Sequence, residues 1–139
     1  MMSSQSCFAP SLLAAVLILT AVQARAADAP QVRQSGGVSY LSGGVSDEGR
    51  QTLQAAAAGF DLKLVLATKS GASLSDTDIV VLDAKGANVL RARSEGPWFY
   101  AKLAEGRYEV VATANGATLH RTVAIDAKRR LTVDLRWDD

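Results

Sequence analysis

The sequence of 139 residues contains one cysteine and one histidine, and these shortages exclude several kinds of site. A single cysteine, Cys7, cannot form an internal disulfide or a zinc site built on several thiolates. With His120 as the only histidine, a site that needs several imidazoles is also excluded. Basic and acidic residues number 15 and 14, whereas a nucleic-acid-binding protein usually has a clustered basic excess. We therefore expect no metal, no cofactor, no catalytic residues and no nucleic-acid partner.

One apolar stretch, Phe8 to Val22, stands near the start of the chain. It is interrupted by Pro10 and is shorter than the roughly 20 apolar residues that span a bilayer. The triplet Ala24-Arg25-Ala26 follows, and such a small-x-small pattern is typical of a signal peptidase site. We therefore predict a signal peptide over residues 1–26, cleavage before Ala27, and a periplasmic or secreted protein with no membrane anchor left after cleavage.

Residues 27–60 differ in composition from the rest of the chain. Gly-Gly-Val-Ser occurs twice, at residues 36–39 and 43–46. The apolar residues between these glycines favour an extended segment lying on the domain over a flexible linker. Ser46 is suited to cap a short helix from Asp47 to about Ala58. The predicted apolar face of this helix contains Leu53, Ala56, Ala57 and Phe60.

From Asp61 onward the apolar residues recur with the period of two that is typical of β strands. Asn115-Gly116 is a strong signal for a two-residue hairpin. The only basic run, Lys128-Arg129-Arg130, falls between two predicted strands, where a charged turn is expected. The predicted strands are Leu62–Leu66, Ile79–Leu82, Val89–Arg93, Trp98–Leu103, Tyr108–Ala114, Leu119–Ile125 and Leu131–Trp137. About seven strands without crossover helices predict an all-β Greek-key sandwich over residues 61–139.

The segment around Leu103-x-x-Gly106-x-Tyr108 is explained by a structural role. Gly106 permits the chain to turn from one sheet to the other, and Tyr108 can place its hydroxyl on nearby backbone as a tyrosine corner. We expect Trp98 and Tyr100 to enter the core beside Leu103. These five residues are therefore predicted to determine the fold.

The same segment resembles the carboxypeptidase regulatory-like domains, which belong to the transthyretin-like and Cna-B-like sandwiches. Their pattern, aromatic-x-aromatic-x-x-Leu-x-x-Gly-x-Tyr-x-Val, is matched by Trp98, Tyr100, Leu103, Gly106, Tyr108 and Val110. The resemblance covers about Asp61 to Trp137 and implies a mostly non-catalytic accessory domain. It does not extend to the hydroxyisourate hydrolase of the transthyretin-like group, whose several histidines and Tyr-Arg-Gly-Ser tail are missing. The glycine-rich lead-in is similar to that of small secreted bacterial proteins that carry this domain alone.

If Trp98 and Tyr100 face the core, alternation directs a second apolar set outward. That set consists of Val65, Val80, Leu82, Phe99 and Val111. An outer face with so many apolar groups is unusually large for a soluble monomer. In one interpretation the Tyr40-Leu41 segment and the helix cover it. In the other, it binds a protein partner or a second copy of the chain through Val80, Leu82, Phe99 and Val111.

Two classes of function stay open. The first is a non-catalytic, exported interaction domain that binds a protein through a sheet face, a sheet edge or its loops. The second is a small polysaccharide-binding module, because starch-binding-like domains share this architecture and stack sugars on exposed aromatics. Phe99 and Trp137 are the aromatics available for such stacking, and two aromatic rings would form only a small sugar-binding site. We expect His120 to be exposed to solvent, on one strand face with Thr118 and Thr122.

Overall fold

A computed structural model describes residues 31–139, so the predicted signal peptide and its cleavage site lie outside the described residues. This part of the chain forms nine strands and one helix. In chain order they are β1 (Arg33–Ser35), β2 (Val38–Gly43), α1 (Asp47–Ala56), β3 (Leu62–Thr68), β4 (Thr77–Asp83), β5 (Asn88–Ser94), β6 (Trp98–Ala101), β7 (Gly106–Ala114), β8 (Ala117–Ile125) and β9 (Leu131–Trp137). The predicted all-β sandwich is confirmed.

The strands form two sheets that face each other. One has five strands in the order β1-β2-β6-β3-β9, and the other has four in the order β5-β4-β7-β8. All neighbouring strands are antiparallel except β3 and β9, which run parallel from Leu62 opposite Leu131 to Thr68 opposite Trp137. The predicted strands correspond to β3–β9, and the glycine-rich segment adds β1 and β2.

The glycine-rich segment folds into a hairpin because of its first glycine pair. Gly36 and Gly37 have φ angles of 58° and 83°, and a two-residue hairpin turn with positive φ at both positions suits glycine. β2 then pairs antiparallel with β6. The segment was predicted to be extended and to lie on the domain. It is extended, and it pairs along the edge of β6 that β3 does not occupy, which adds two strands to the sheet.

A main core fills the space between the two sheets. Phe99 is fully buried there and stacks on Tyr40, with ring centroids 5.5 Å apart. Most of the other buried side chains in this core are aliphatic and lie at alternate positions of their strands. Those that are buried in this core include Leu62, Leu64, Leu66, Ile79, Val81, Leu90, Val110, Val123, Ile125 and Leu135. Burial of these side chains is the dominant favourable contribution to folding.

The helix α1 begins and packs nearly as predicted. The Gly49 backbone N–H donates to the Ser46 hydroxyl at 2.9 Å, which caps the helix, and acidic residues occupy its first turn. Leu53 and Ala57 are buried, whereas Ala56 is exposed, so the predicted apolar face was wrong at that position. The helix covers the outer side of the five-stranded sheet. A second, smaller core forms there from Leu41, Leu53, Ala57 and Tyr100.

The orientation predicted for the aromatic strand β6 is wrong. Phe99, which was expected to face outward, lies in the main core, whereas Tyr100 lies in the second core beneath α1. Trp98 is half-buried at the margin of that second core. Successive residues of a strand point to opposite faces, so residues an odd number apart cannot share one. Leu103 in the main core therefore shares its side with Phe99 and not with Trp98 or Tyr100.

Candidate functional site

The tyrosine corner is present and joins the two sheets. Gly106 has a φ angle of 154° and begins β7, after the four residues that connect it to β6. The Tyr108 hydroxyl donates to the Ala104 carbonyl at 2.8 Å, while Leu103 is buried in the main core. These contacts confirm the predicted corner. Its residues are bonded within the fold, so they have a structural role.

The outer side of the four-stranded sheet carries three of the four residues of the predicted partner surface. Val80 on β4 lies directly opposite Val111 on β7, and Leu82 is two residues further along β4. All three are half-buried, whereas their neighbours Val81 and Val110 are fully buried in the main core. We call the surface formed by Val80, Leu82 and Val111 the open face.

Polar and charged side chains border the open face on both sides. Arg91 on β5 lies opposite Val80, and His120 on β8 lies opposite Val111. Glu109 pairs with Leu82 along β7. The His120 Nδ1 atom lies 2.9 Å from the Glu109 Oε1 atom, and His120 is exposed as predicted. An apolar centre within a polar rim is the usual arrangement of a protein–protein interface.

The open face is not covered in the way the sequence suggested. The only helix of residues 31–139, α1, packs on the other sheet, where it contacts β2. Phe99, the fourth residue of the predicted partner surface, is 0% exposed. It is therefore absent from every surface of the domain and cannot contact a partner.

The aromatics on which sugar binding depended are also buried. Phe99 lies between the sheets, and Trp137 is 3% exposed. The indole Nε1 of Trp137 donates to the Ala117 carbonyl at 3.0 Å, which ties β9 to β8. Neither ring can stack on a sugar, so the polysaccharide-binding alternative has no platform at either named position.

Three cations surround the aromatic pair beneath α1. The Lys63 ammonium lies 3.6 Å from the centre of the Trp98 ring. The guanidinium carbons of Arg50 and Arg130 lie 5.5 Å from the Trp98 ring and 5.2 Å from the Tyr100 ring. Burial, followed by repulsion from Arg130, lowers the pKa of Lys63. The arrangement is typical of cation–π contacts. It was not predicted from the sequence, because residues of the helix, a turn and two strands come together only in the folded domain.

A basic cleft lies at the C-terminal end of α1. It has a volume of about 230 Å³ and is lined by Gly59, Phe60, Asp61, Ala127, Lys128, Arg129 and Arg130. The run Lys128-Arg129-Arg130 lies in the turn between β8 and β9, as predicted, but the turn also forms one wall of this cleft. The sequence could not indicate the opposite wall, which is 70 residues away in the chain.

The described part of the chain has neither a metal-binding cluster nor a helix that could span a membrane. No group of three or more His, Cys, Asp or Glu side chains in residues 31–139 is placed to hold a metal ion. In the same residues, no helix is both long and apolar enough to cross a bilayer.

Comparison with known proteins identifies the family. No curated protein matches the chain. A family model described as the Rhizobiales growth-associated tandem repeat domain matches residues 59–137. This range contains β3–β9 and leaves β1, β2 and α1 outside it. Because the match covers more than half of the sequence, the chain belongs to the family of the Rhizobiales growth-associated tandem repeat domain.

Proposed function

We propose that this protein is a non-catalytic, exported interaction domain that binds a protein partner, or a second copy of itself, through the open face. The observation that carries the proposal is the contiguous patch of Val80, Leu82 and Val111. These side chains lie on the outer side of a sheet, away from the helix that covers the other sheet.

The composition of the patch supports binding to protein. Aliphatic side chains at the centre lose contact with water when a partner covers them, and this burial favours association by about 25 cal/mol for each Å² of apolar surface. The rim supplies charges of both signs, from Arg91 and Glu109, that can select and orient the partner. The uninterrupted antiparallel pairing of β4 with β7 places Val80, Leu82 and Val111 side by side on this face.

The resemblance to carboxypeptidase regulatory-like domains supports an accessory role on separate grounds. Such domains are mostly non-catalytic, and fold alone does not define their ligands. The predicted signal peptide supports export, so the partner is expected in the periplasm or outside the cell.

A charge placed at the centre of the open face tests the proposal. The substitution Val111→Glu should remove a partner captured from a periplasmic extract, because binding would bury an unpaired carboxylate. If the partner is a second copy, the variant should lose the concentration dependence of its sedimentation coefficient.

The matched control is Thr132→Glu, at an exposed position of β9 in the five-stranded sheet. It adds the same charge away from the aliphatic centre and should retain binding. Melting curves of both variants verify that they are folded. Capture and sedimentation that are unchanged by Val111→Glu would contradict the proposal.

A further inference from the structure

We propose that the basic cleft at the C-terminal end of α1 binds a phosphate group, either as the free ion or as the monoester of a small molecule. The cleft lies against the five-stranded sheet and its helix, whereas the open face belongs to the four-stranded sheet. The inference is therefore independent of the proposed function.

The two walls of the cleft are held together by backbone contacts. The Leu131 N–H donates to the Asp61 carbonyl at 2.8 Å, just before the parallel ladder of β3 and β9 begins. In the turn opposite, the Lys128 N–H donates to the Asp126 carboxylate at 2.9 Å. These contacts define the backbone positions from which Lys128, Arg129 and Arg130 extend.

The charge of the cleft is unbalanced. Its lining contains Lys128, Arg129 and Arg130 but only one carboxylate, that of Asp61. The ion pairs of residues 31–139 join other cations, such as Arg33 to Glu95 at 2.9 Å, and include none of these three. A dianion would balance the excess positive charge of the lining.

Arg130 is oriented for binding by its own contacts. Its Nε donates to the Phe60 carbonyl at 3.0 Å, and one Nη2 hydrogen is donated to the Ala57 carbonyl. Among the described hydrogen bonds none involves its Nη1, so that edge of the guanidinium stays available. A guanidinium fork matches the oxygen geometry of a phosphate.

Titration with inorganic phosphate at constant ionic strength tests the site, with backbone amide shifts as the readout. We expect saturable shifts at residues 59–61 and 127–130 that chloride does not reproduce. The double variant Lys128→Gln/Arg129→Gln should weaken the affinity by roughly tenfold, since two charge-assisted contacts are lost. Arg130 is left unchanged because it also binds the end of α1.

The double variant Arg121→Gln/Arg136→Gln is the matched control. It removes the same charge, and like Lys128 and Arg129 neither residue belongs to an ion pair of the described chain. Arg121 lies on β8 of the other sheet, and Arg136 lies near the end of β9 that is opposite to the cleft. This variant should bind phosphate as the wild type does. Shifts that do not saturate, or an equal loss of affinity in both double variants, would overturn the proposal.

A second titration distinguishes the source of the phosphate. Glucose 6-phosphate serves as a monoester and glucose as its neutral counterpart. Tighter binding of the monoester than of inorganic phosphate indicates a phosphorylated small molecule, and the reverse order indicates the free ion. In either case the Lys128→Gln/Arg129→Gln variant should bind the preferred compound more weakly than the control variant does. Failure of both phosphate compounds to bind would also overturn the proposal.

Discussion

Two tyrosines of this domain place their hydroxyl groups in opposite environments. The Tyr108 hydroxyl donates to the Ala104 carbonyl. The Tyr100 hydroxyl is buried beneath α1 and has no hydrogen-bond partner within the described residues, and burial raises the pKa of Tyr100. A buried polar group without a partner costs about 1–3 kcal/mol of stability, whereas a made hydrogen bond contributes about 1 kcal/mol. The two hydroxyls should therefore have opposite effects on the free energy of unfolding.

Removal of the corner hydroxyl by Tyr108→Phe should lower the free energy of unfolding by about 1 kcal/mol, because the hydrogen bond to Ala104 is lost. Urea denaturation measures this change. Tyr40→Phe is the matched control, since it removes the hydroxyl of another half-buried tyrosine outside the corner. Equal stability of the Tyr108→Phe variant and the wild type would show that the corner bond contributes nothing.

The substitution Tyr100→Phe should have the opposite sign and raise the free energy of unfolding by about 1 kcal/mol. The ring is retained, so the packing against Leu41 and Leu53 persists, while the cost of burying the hydroxyl disappears. The same urea denaturation gives the result. A clear loss of stability would mean that the hydroxyl has a partner in solution, such as an ordered water.

At the level of elements, β1, β2 and α1 belong to the sandwich although they lie outside the family match. β2 occupies the edge of β6, and α1 covers the ring of Tyr100. Deletion of Ala27 to Phe60 should therefore lower the melting temperature and increase the fluorescence of a dye that binds apolar surface. A melting curve unchanged by the deletion would contradict this account of the segment.

A point substitution within α1 tests the contribution of helix packing to stability without shortening the chain. Leu53→Ala should destabilise by about 2–5 kcal/mol, the range typical of a fully buried leucine, because Leu53 is 1% exposed. Gln54→Ala, at the next and exposed position, should change stability little. The comparison shows whether the apolar face of the helix, and not its presence alone, stabilises the sandwich.

At the level of the whole molecule, the sequence predicted the sandwich and the corner, but it did not predict for every strand which side chains face the main core. The period of two from Leu62 to Trp137 was sufficient for the strands, and Gly106 with Tyr108 was sufficient for the corner. The predicted orientation of β6 was wrong because Trp98 and Tyr100 were placed on the same side as Leu103, although they are an odd number of residues away from it. Counting back by twos from Leu103 reaches Phe99, which does lie in the main core.

The two candidate sites differ in how far the sequence could have revealed them. Val80, Leu82 and Val111 follow from alternation within single strands, a local property. The basic cleft requires the end of α1 to meet the turn between β8 and β9, which only the tertiary fold brings together. The contacts of Arg130 with Phe60 and Ala57 are of this long-range kind.

The parallel pairing of β3 and β9 bears on how copies of this domain can follow one another. Leu62 begins the first strand of the matched segment and Trp137 ends the last, and the two residues lie at opposite ends of the shared ladder. Seven residues of strand separate those ends by roughly 20 Å. In family members with repeats in series, the polypeptide would enter each copy at one pole and leave at the other. Copies joined in this way need no connecting segment that returns along the side of each one.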